Sequence, residues 1–262
     1  MTFPVIHRVL RSFVAAAAVT LFSGCVSQPS LPSLTDAPGA QKPREFLATR
    51  TLESHFQCQV FLPADYRRDT TPSWPLLLFL HGAGERGNAI ERVTVHGPPK
   101  IAPSQPGFPF VVVSPQCPEG RFWNVDELEL LLDEVLRQYA IDPKRVYLTG
   151  LSMGGNGTWA WATAHPERFA AVAPICGWGD PVRVWLSEEP RKSGLTRLPI
   201  WAFHGAKDTV VPLADSQSMV AAFARLGNKV RLTTYPEAGH DSWTESYANP
   251  ALYDWFLSHR LP

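Results

Sequence analysis

The sequence of 262 residues carries no excess charge of either sign: Lys and Arg number 24, and so do Asp and Glu. A net charge of zero excludes the basic field that gathers nucleic acid, and it excludes an acidic tail. Cysteine is scarce, with four residues, and none stands in a Cys-x-x-Cys pair or beside a pair of histidines. No metal site is therefore expected. Cys58, Cys117 and Cys176 lie in the body of the chain; an oxidising compartment permits one disulfide among them, an odd count cannot pair completely, and buried free thiols are the expectation. There is no internal repeat. The apolar run from Phe13 to Phe22 is too short to span a bilayer comfortably.

What is present points to one catalytic domain behind a short leader. A hydrophobic content of 45% suffices for a substantial core. The 25 prolines suit a fold with many strand-to-helix connections, because proline lacks an N–H and punctuates elements. His7, Arg8 and Arg11 precede the apolar run, as in a targeting segment. The run ends in Leu-Phe-Ser-Gly-Cys (21 to 25), which resembles a bacterial lipobox, with Phe22 where that pattern prefers Leu. The resemblance implies a signal peptide over 1–25, lipidation at Cys25 and export from a bacterial cytoplasm to the periplasm or an outer-membrane anchor. Membrane contact is expected only through that anchor. Residues 26–45 are rich in Pro and Ser without helical or strand period and read as a disordered tether, leaving 46–262 as the catalytic domain.

Within that domain, Glu53 to Leu62 alternates loosely enough to predict an antiparallel edge strand. The runs Pro75–Leu80 and Phe110–Ser114 are continuously apolar, as in strands buried on both faces. Between Asn124 and Tyr139 apolar residues recur at helical spacing, and Asn124 with Glu127 predicts a capping box. Further strands are expected at Arg145–Thr149, Phe169–Ala173, Leu198–Phe203 and Lys229–Tyr235, with helices at Gly155–Ala164, Asp215–Leu226 and near Pro250–His259. Strand and helix alternate throughout, which predicts an α/β fold with a mainly parallel sheet and helices on both faces.

Gly150-Leu151-Ser152-Met153-Gly154 fits Gly-x-Ser-x-Gly between an expected strand and an expected helix. A nucleophilic serine at such a turn needs small residues two places before and after it, and the turn aims backbone N–H groups at a developing oxyanion. Serine alone is a poor nucleophile, so a histidine base and an acid are required, in the chain order serine, acid, histidine. Asp208 follows the strand ending at Phe203, and His240 follows the strand ending at Tyr235. Asp180 is the best substitute for Asp208; Asp215 is expected to cap the next helix, and Asp241 adjoins the histidine. The N–H groups of Ala83, in the loop His81-Gly82-Ala83-Gly84, and of Met153 are the candidate oxyanion donors. His81 and His204 are expected to brace their own loops, and Glu85 and Arg86 to pair as a salt bridge. Of Trp123, Trp159, Trp178 and Trp243, the last two are the candidate substrate contacts, because they follow strand ends.

The segments Leu-Phe-Leu-His-Gly-Ala-Gly-Glu-Arg-Gly (78 to 87), Ser-Pro-Gln-Cys-Pro (114 to 118), Thr-Gly-Leu-Ser-Met-Gly-Gly-Asn-Gly-Thr-Trp (149 to 159), Phe-Ala-Ala-Val-Ala-Pro-Ile-Cys-Gly (169 to 177) and Gly-His-Asp-Ser-Trp (239 to 243) carry a wider resemblance. Over roughly residues 50 to 260 the chain resembles the bacterial predicted-peptidase or phospholipase/carboxylesterase-like group of the α/β-hydrolase superfamily. That group is similar to polyhydroxybutyrate depolymerases, feruloyl esterases and dienelactone hydrolase relatives. The resemblance implies a triad at Ser152, Asp208 and His240 and a serine carboxylesterase acting on a small-molecule or polymer ester, with no cofactor. Two alternatives stand beside it: a peptidase or amidase on the same site, and a surface-tethered pseudo-hydrolase that binds without catalysis. The absence of a long insertion between Ala173 and Pro199, beyond the polar stretch 180–197, favours an open cleft over a covered tunnel.

Overall fold

A computed structural model describes residues 47–49, 51–68, 73–105 and 107–262. The leader, Cys25 and the tether lie outside the described residues, as do their expected roles. Strands β1 (Cys58–Phe61), β2 (Trp74–Leu80), β3 (Val111–Pro115), β4 (Ile141–Leu151), β5 (Ala171–Ile175), β6 (Trp201–Gly205) and β7 (Arg231–Tyr235) form one sheet in the order β1-β3-β2-β4-β5-β6-β7. Only β1 runs antiparallel, at the edge against β3, with Val60 opposite Val113. The other neighbours are parallel.

The continuous apolar runs explain the layering. In β2, Leu76, Leu78 and Leu80 point to one face while Leu77 and Phe79 point to the other, and all five are fully buried. Strand geometry sends successive side chains to opposite faces, so a sheet covered on both sides needs apolar residues at every position. One face is covered by helices α2 (Val125–Gln138), α3 (Met153–Ala164) and α6 (Leu213–Arg225), through Leu128, Leu132, Trp159, Trp161, Met219 and Phe223 among others. The opposite face receives α7 (Trp243–Ala248) and α8 (Pro250–Leu257) through Tyr247, Leu252 and Phe256. Each such side chain stabilises the fold by about 1.5–3 kcal/mol relative to exposure. Among the described residues no helix is long and apolar enough to cross a membrane.

Four helices of nine residues or fewer, α1 (Gly97–Ile101), α4 (Pro181–Trp185), α5 (Glu189–Arg197) and α7, occupy stretches with no expected element. The polar stretch after β5 is thus helical rather than plain loop, and Asp180 caps α4 by accepting from the N–H groups of Val182 and Arg183. That exposed cap role takes Asp180 away from substitution for Asp208. Asp215 does not cap α6: it is the third residue of that helix, which starts two residues earlier at Leu213 behind Pro212. The capping box at α2 forms by half. Asn124 accepts from the Glu127 N–H at 3.0 Å, but the Glu127 carboxylate turns to Arg121 at 2.6 Å.

The C-terminal segment is pinned at the starting end of the strands. The Leu261 N–H donates to the Lys144 carbonyl at 2.9 Å, and the Tyr147 hydroxyl donates to the His259 carbonyl at 2.8 Å. Residue 144 lies near the start of β4, and the serine of the Gly-x-Ser-x-Gly segment follows its other end.

Candidate active site

Ser152 stands between β4 and α3 with φ 53 and ψ −116, a conformation that a side chain other than glycine adopts at a cost of about 1–3 kcal/mol. The reason is the reversal itself: helix α3 begins at the next residue, two places earlier than the periodicity predicts, and Gly154 passes directly beneath the end of β2. A Cβ on Gly154 would lie 1.8 Å from the Leu80 carbonyl oxygen. Among the described residues the other non-glycine of positive φ, Cys176 at 39°, sits at the neighbouring strand end. The two turns are locked together, because the Ser152 N–H donates to the Ile175 carbonyl at 2.9 Å and Gly155 packs backbone to backbone on Gly177.

Three side chains meet over this turn. The Ser152 hydroxyl lies 2.9 Å from His240 Nε2, and His240 Nδ1 lies 2.7 Å from Asp208 Oδ2. The Asp208 side chain is fully buried, whereas that of His240 is 19% exposed, so the imidazole reaches the surface and the carboxylate does not. The second carboxylate oxygen, Oδ1, accepts from the N–H groups of Val210 and Val211, each at 2.9 Å. Burial opposes ionisation of Asp208, but the hydrogen bonds from His240, Val211 and Val210 outweigh it and hold the carboxyl below its ordinary range. The expected serine, acid and histidine are therefore brought within hydrogen-bond contact.

Met153, buried, opens α3, so its N–H has no partner one turn earlier in that helix. Ala83 opens the one-turn helix Ala83–Glu85 after β2 and is exposed. His81 braces this loop as expected: its Nδ1 lies 2.7 Å from the Gly82 carbonyl, and its Nε2 accepts the Cys117 N–H at 2.9 Å. An acceptor at Nε2 and a donor at Nδ1 require the neutral ring. Burial, with the cations Arg86 and Arg92 nearby, accordingly lowers the His81 pKa to about 4 against the pull of the Gly82 carbonyl.

The expected Glu85–Arg86 salt bridge does not form. Arg86 ties the loop through the carbonyls of Ala83 and Arg121, while Glu85 turns inward, 4.0 Å from both His81 and His96. Neighbouring residues in a tight turn point apart, so Arg86 reaches backbone carbonyls while the Glu85 Oε2 is buried without a hydrogen-bond partner. The tryptophans divide by depth. Trp159 is core, and Trp123 packs on His81 and donates to its carbonyl at 3.2 Å. Trp243 stands edge-on to the His240 ring, 5.3 Å between centroids, and also contacts His96. Trp178 is half-buried beyond β5, its carbonyl held by Asn156 at 3.0 Å.

Cys58, Cys117 and Cys176 are free thiols, the last two buried. Burial pushes Cys176 up to about 12, so it lies beneath the site as a neutral group. Cys176, Asp208 and His240 offer ligand atoms within 4.8 Å of one another, a spacing that could hold a metal ion. The shared Nδ1–Oδ2 hydrogen bond accounts for the approach of the latter two.

Residues 108–250, more than half of the chain, match the phospholipase/carboxylesterase family. Among curated proteins, the chain is 33% identical over 147 residues to a bifunctional acetylxylan esterase/xylanase of Neocallimastix patriciarum, covering 53% of this chain and 20% of that protein. It is 42% identical over 124 residues to poly(3-hydroxyalkanoate) depolymerase C of Paucimonas lemoignei, covering 37% and 28% respectively. The chain thus spans well under half the length of these two relatives. Among solved structures, a thermostable esterase superposes with a TM-score of 0.63 at 32% identity, covering 78% of this chain and 59% of that one. The sheet order, the strand-to-helix serine turn and these matches agree on the α/β-hydrolase fold, and the chain belongs to the phospholipase/carboxylesterase family.

Proposed function

We propose that this chain is a serine carboxylesterase in which Ser152 is the nucleophile, His240 the general base and Asp208 the acid that orients it. The observation that carries this reading is the relay of 2.9 Å and 2.7 Å contacts through the two nitrogens of one ring. The Ser152 hydroxyl donates to Nε2, which requires the hydrogen of a neutral ring to be on Nδ1, facing Asp208. Attack by Oγ on an ester carbonyl transfers the serine proton to Nε2, and Asp208 stabilises the imidazolium that results. The N–H groups of Met153 and Ala83 receive the oxyanion. The imidazolium then protonates the leaving alcohol. Water, deprotonated by the same ring, releases the acid from Ser152.

Trp243 restricts the His240 ring and, with Trp178, offers apolar surface for the ester beside the serine. The small-molecule or polymer esters implied by the relatives' names are the proposed substrate class. The leader ending at Cys25 supports export and anchoring by lipid. The test is hydrolysis of p-nitrophenyl acetate against a chromogenic peptide, with labelling by a fluorophosphonate. The wild type is expected to hydrolyse the ester and to label, and Ser152→Ala to do neither. Substantial ester hydrolysis by purified Ser152→Ala would sink the assignment, and a preference for the peptide would replace esterase with peptidase.

A further inference from the structure

We propose that His204 is a positioning residue for the triad acid, holding the loop whose N–H groups grip the Asp208 carboxylate and placing its own Nε2–H beside Oδ2. The inference rests on the proposed roles of Ser152, Asp208 and His240. His204 is the fourth residue of β6 and is completely buried, as is the Asp208 side chain. Its Nε2 lies 2.9 Å from the Val211 carbonyl and 3.2 Å from Asp208 Oδ2, the same oxygen that faces His240 Nδ1. Two imidazoles therefore converge on one carboxylate oxygen.

The proton inventory follows from the partners. A carbonyl only accepts, so Nε2 of His204 carries a hydrogen, and that hydrogen is donated to the Val211 carbonyl, with Asp208 Oδ2 beside the same nitrogen but out of line with the bond. At the other nitrogen, Nδ1 is 2.8 Å from the Ser216 hydroxyl on α6, while the Gly177 carbonyl is 3.3 Å from that hydroxyl. The shorter contact assigns the serine hydrogen to Nδ1. Every polar atom of the ring is thus satisfied, and the ring is fixed between β6 and α6. A residue buried for volume alone needs no such accounting. An apolar side chain fills the same space without burying two nitrogens.

Two consequences for Asp208 follow. Mechanically, the Val210 and Val211 N–H groups hold Oδ1 and His204 holds the Val211 carbonyl, so the loop is fixed around the carboxylate through Val211. Electrostatically, the positive end of the Nε2–H dipole lies beside the oxygen that must stabilise the imidazolium of His240. His204 therefore fixes the acid while limiting its basicity. The titratable groups facing the carboxylate are His204 from β6, His240 from the loop after β7 and the Cys176 thiol from the end of β5, with Asp241 acting on that thiol. α6 contributes the non-titrating Ser216.

The experiment compares kcat and KM for p-nitrophenyl acetate across pH in the wild type, His204→Phe and His204→Gln, with Ser152→Ala alongside. Loss of the donor leaves Oδ2 more basic toward His240. His204→Phe is thus expected to move the acid limb of kcat/KM upward by roughly half a pH unit and to lower kcat about tenfold or more, with KM within about threefold. Gln carries an N–H near the Nε2 position and is expected to recover at least half of the shift. An unmoved acid limb in folded His204→Phe, or a His204→Gln profile no closer to the wild type, overturns the proposal. Should His204→Phe not fold, nitrogen-15 NMR of the wild-type histidines decides: a protonated, exchange-protected Nε2 on His204 supports the assignment, and an unprotonated one overturns it. Ester hydrolysis surviving in Ser152→Ala would instead overturn the triad reading on which the inference rests.

Discussion

Asp208→Asn separates the electrostatic and geometric duties of the acid. Three N–H donors hold the native carboxylate, Val210 and Val211 on Oδ1 and His240 on Oδ2, and the His204 Nε2–H lies beside Oδ2. An asparagine keeps one acceptor oxygen and replaces the other with an NH2 group. Placing the NH2 toward Val210 and Val211 leaves two backbone donors without acceptors, at about 1–3 kcal/mol each, so the amide oxygen stays on the backbone. The NH2 then faces His240 Nδ1, which must present its lone pair and move its hydrogen to Nε2. That hydrogen points at the Ser152 oxygen 2.9 Å away, and the ring can no longer take the serine proton. A triad held in the wrong tautomer loses about 10⁴-fold in kcat, which is about 5 kcal/mol of barrier. The assay is kcat and kcat/KM on p-nitrophenyl acetate, with a thermal melt to show that the variant folds. Folded Asp208→Asn within tenfold of the wild type would refute the tautomer argument and the role assigned to Asp208.

Two further predictions concern the frame. Gly154→Ala is expected to destabilise the protein by more than about 3 kcal/mol or abolish folding, because its Cβ would meet the Leu80 backbone, whereas Gly84→Ala, with nothing within 4 Å, should stay within about 0.5 kcal/mol; chemical denaturation compares them. His81 has a pKa lowered to about 4 from 6.5, so its contribution is fully present above the unfolded value and is lost as pH falls from 6.5 towards 4. Between pH 7 and pH 5 the wild type should therefore lose about 2 kcal/mol more than His81→Gln, and equal losses would show that the ring is not held neutral.

Much of the site was readable because parallel sheets place loops at the carboxyl ends of their strands, and the apolar runs marked those ends. Ser152 and Asp208 each follow such a run, and His240 follows the β-prone edge strand Arg231–Tyr235, so chain order and chemistry converged on them. The strand limits drifted by up to five residues: β1 starts at Cys58 where the alternation pointed to Glu53, and β6 starts at Trp201 where apolar content pointed to Leu198, since Leu198 packs on the core before the ladder begins. Helices α4 and α5 escaped notice for a physical reason. Of the nine residues of α5, Leu195 is the fully buried one named in the core, and one buried side chain makes no periodic stripe. The position of Glu85 was equally hidden, because adjacency in sequence suggested Arg86 while the turn aims the carboxylate at His81 and His96. His204 was legible as a brace, but its approach to Asp208 depends on how the loop 205–212 folds back, which no spacing rule encodes.

The hold on the C-terminal segment bears on how the enzyme can be mounted. Leu261 is hydrogen-bonded to residue 144, and the six residues from Val146 to Leu151 then run along the rest of β4 to the serine turn, a rise of about 20 Å. A tag, a resin linker or a fused partner attached after Pro262 therefore meets the molecule on the underside of the sheet. Immobilised in that orientation, the enzyme turns its cleft away from the support and towards the bulk phase, which is the presentation that a large or insoluble ester requires.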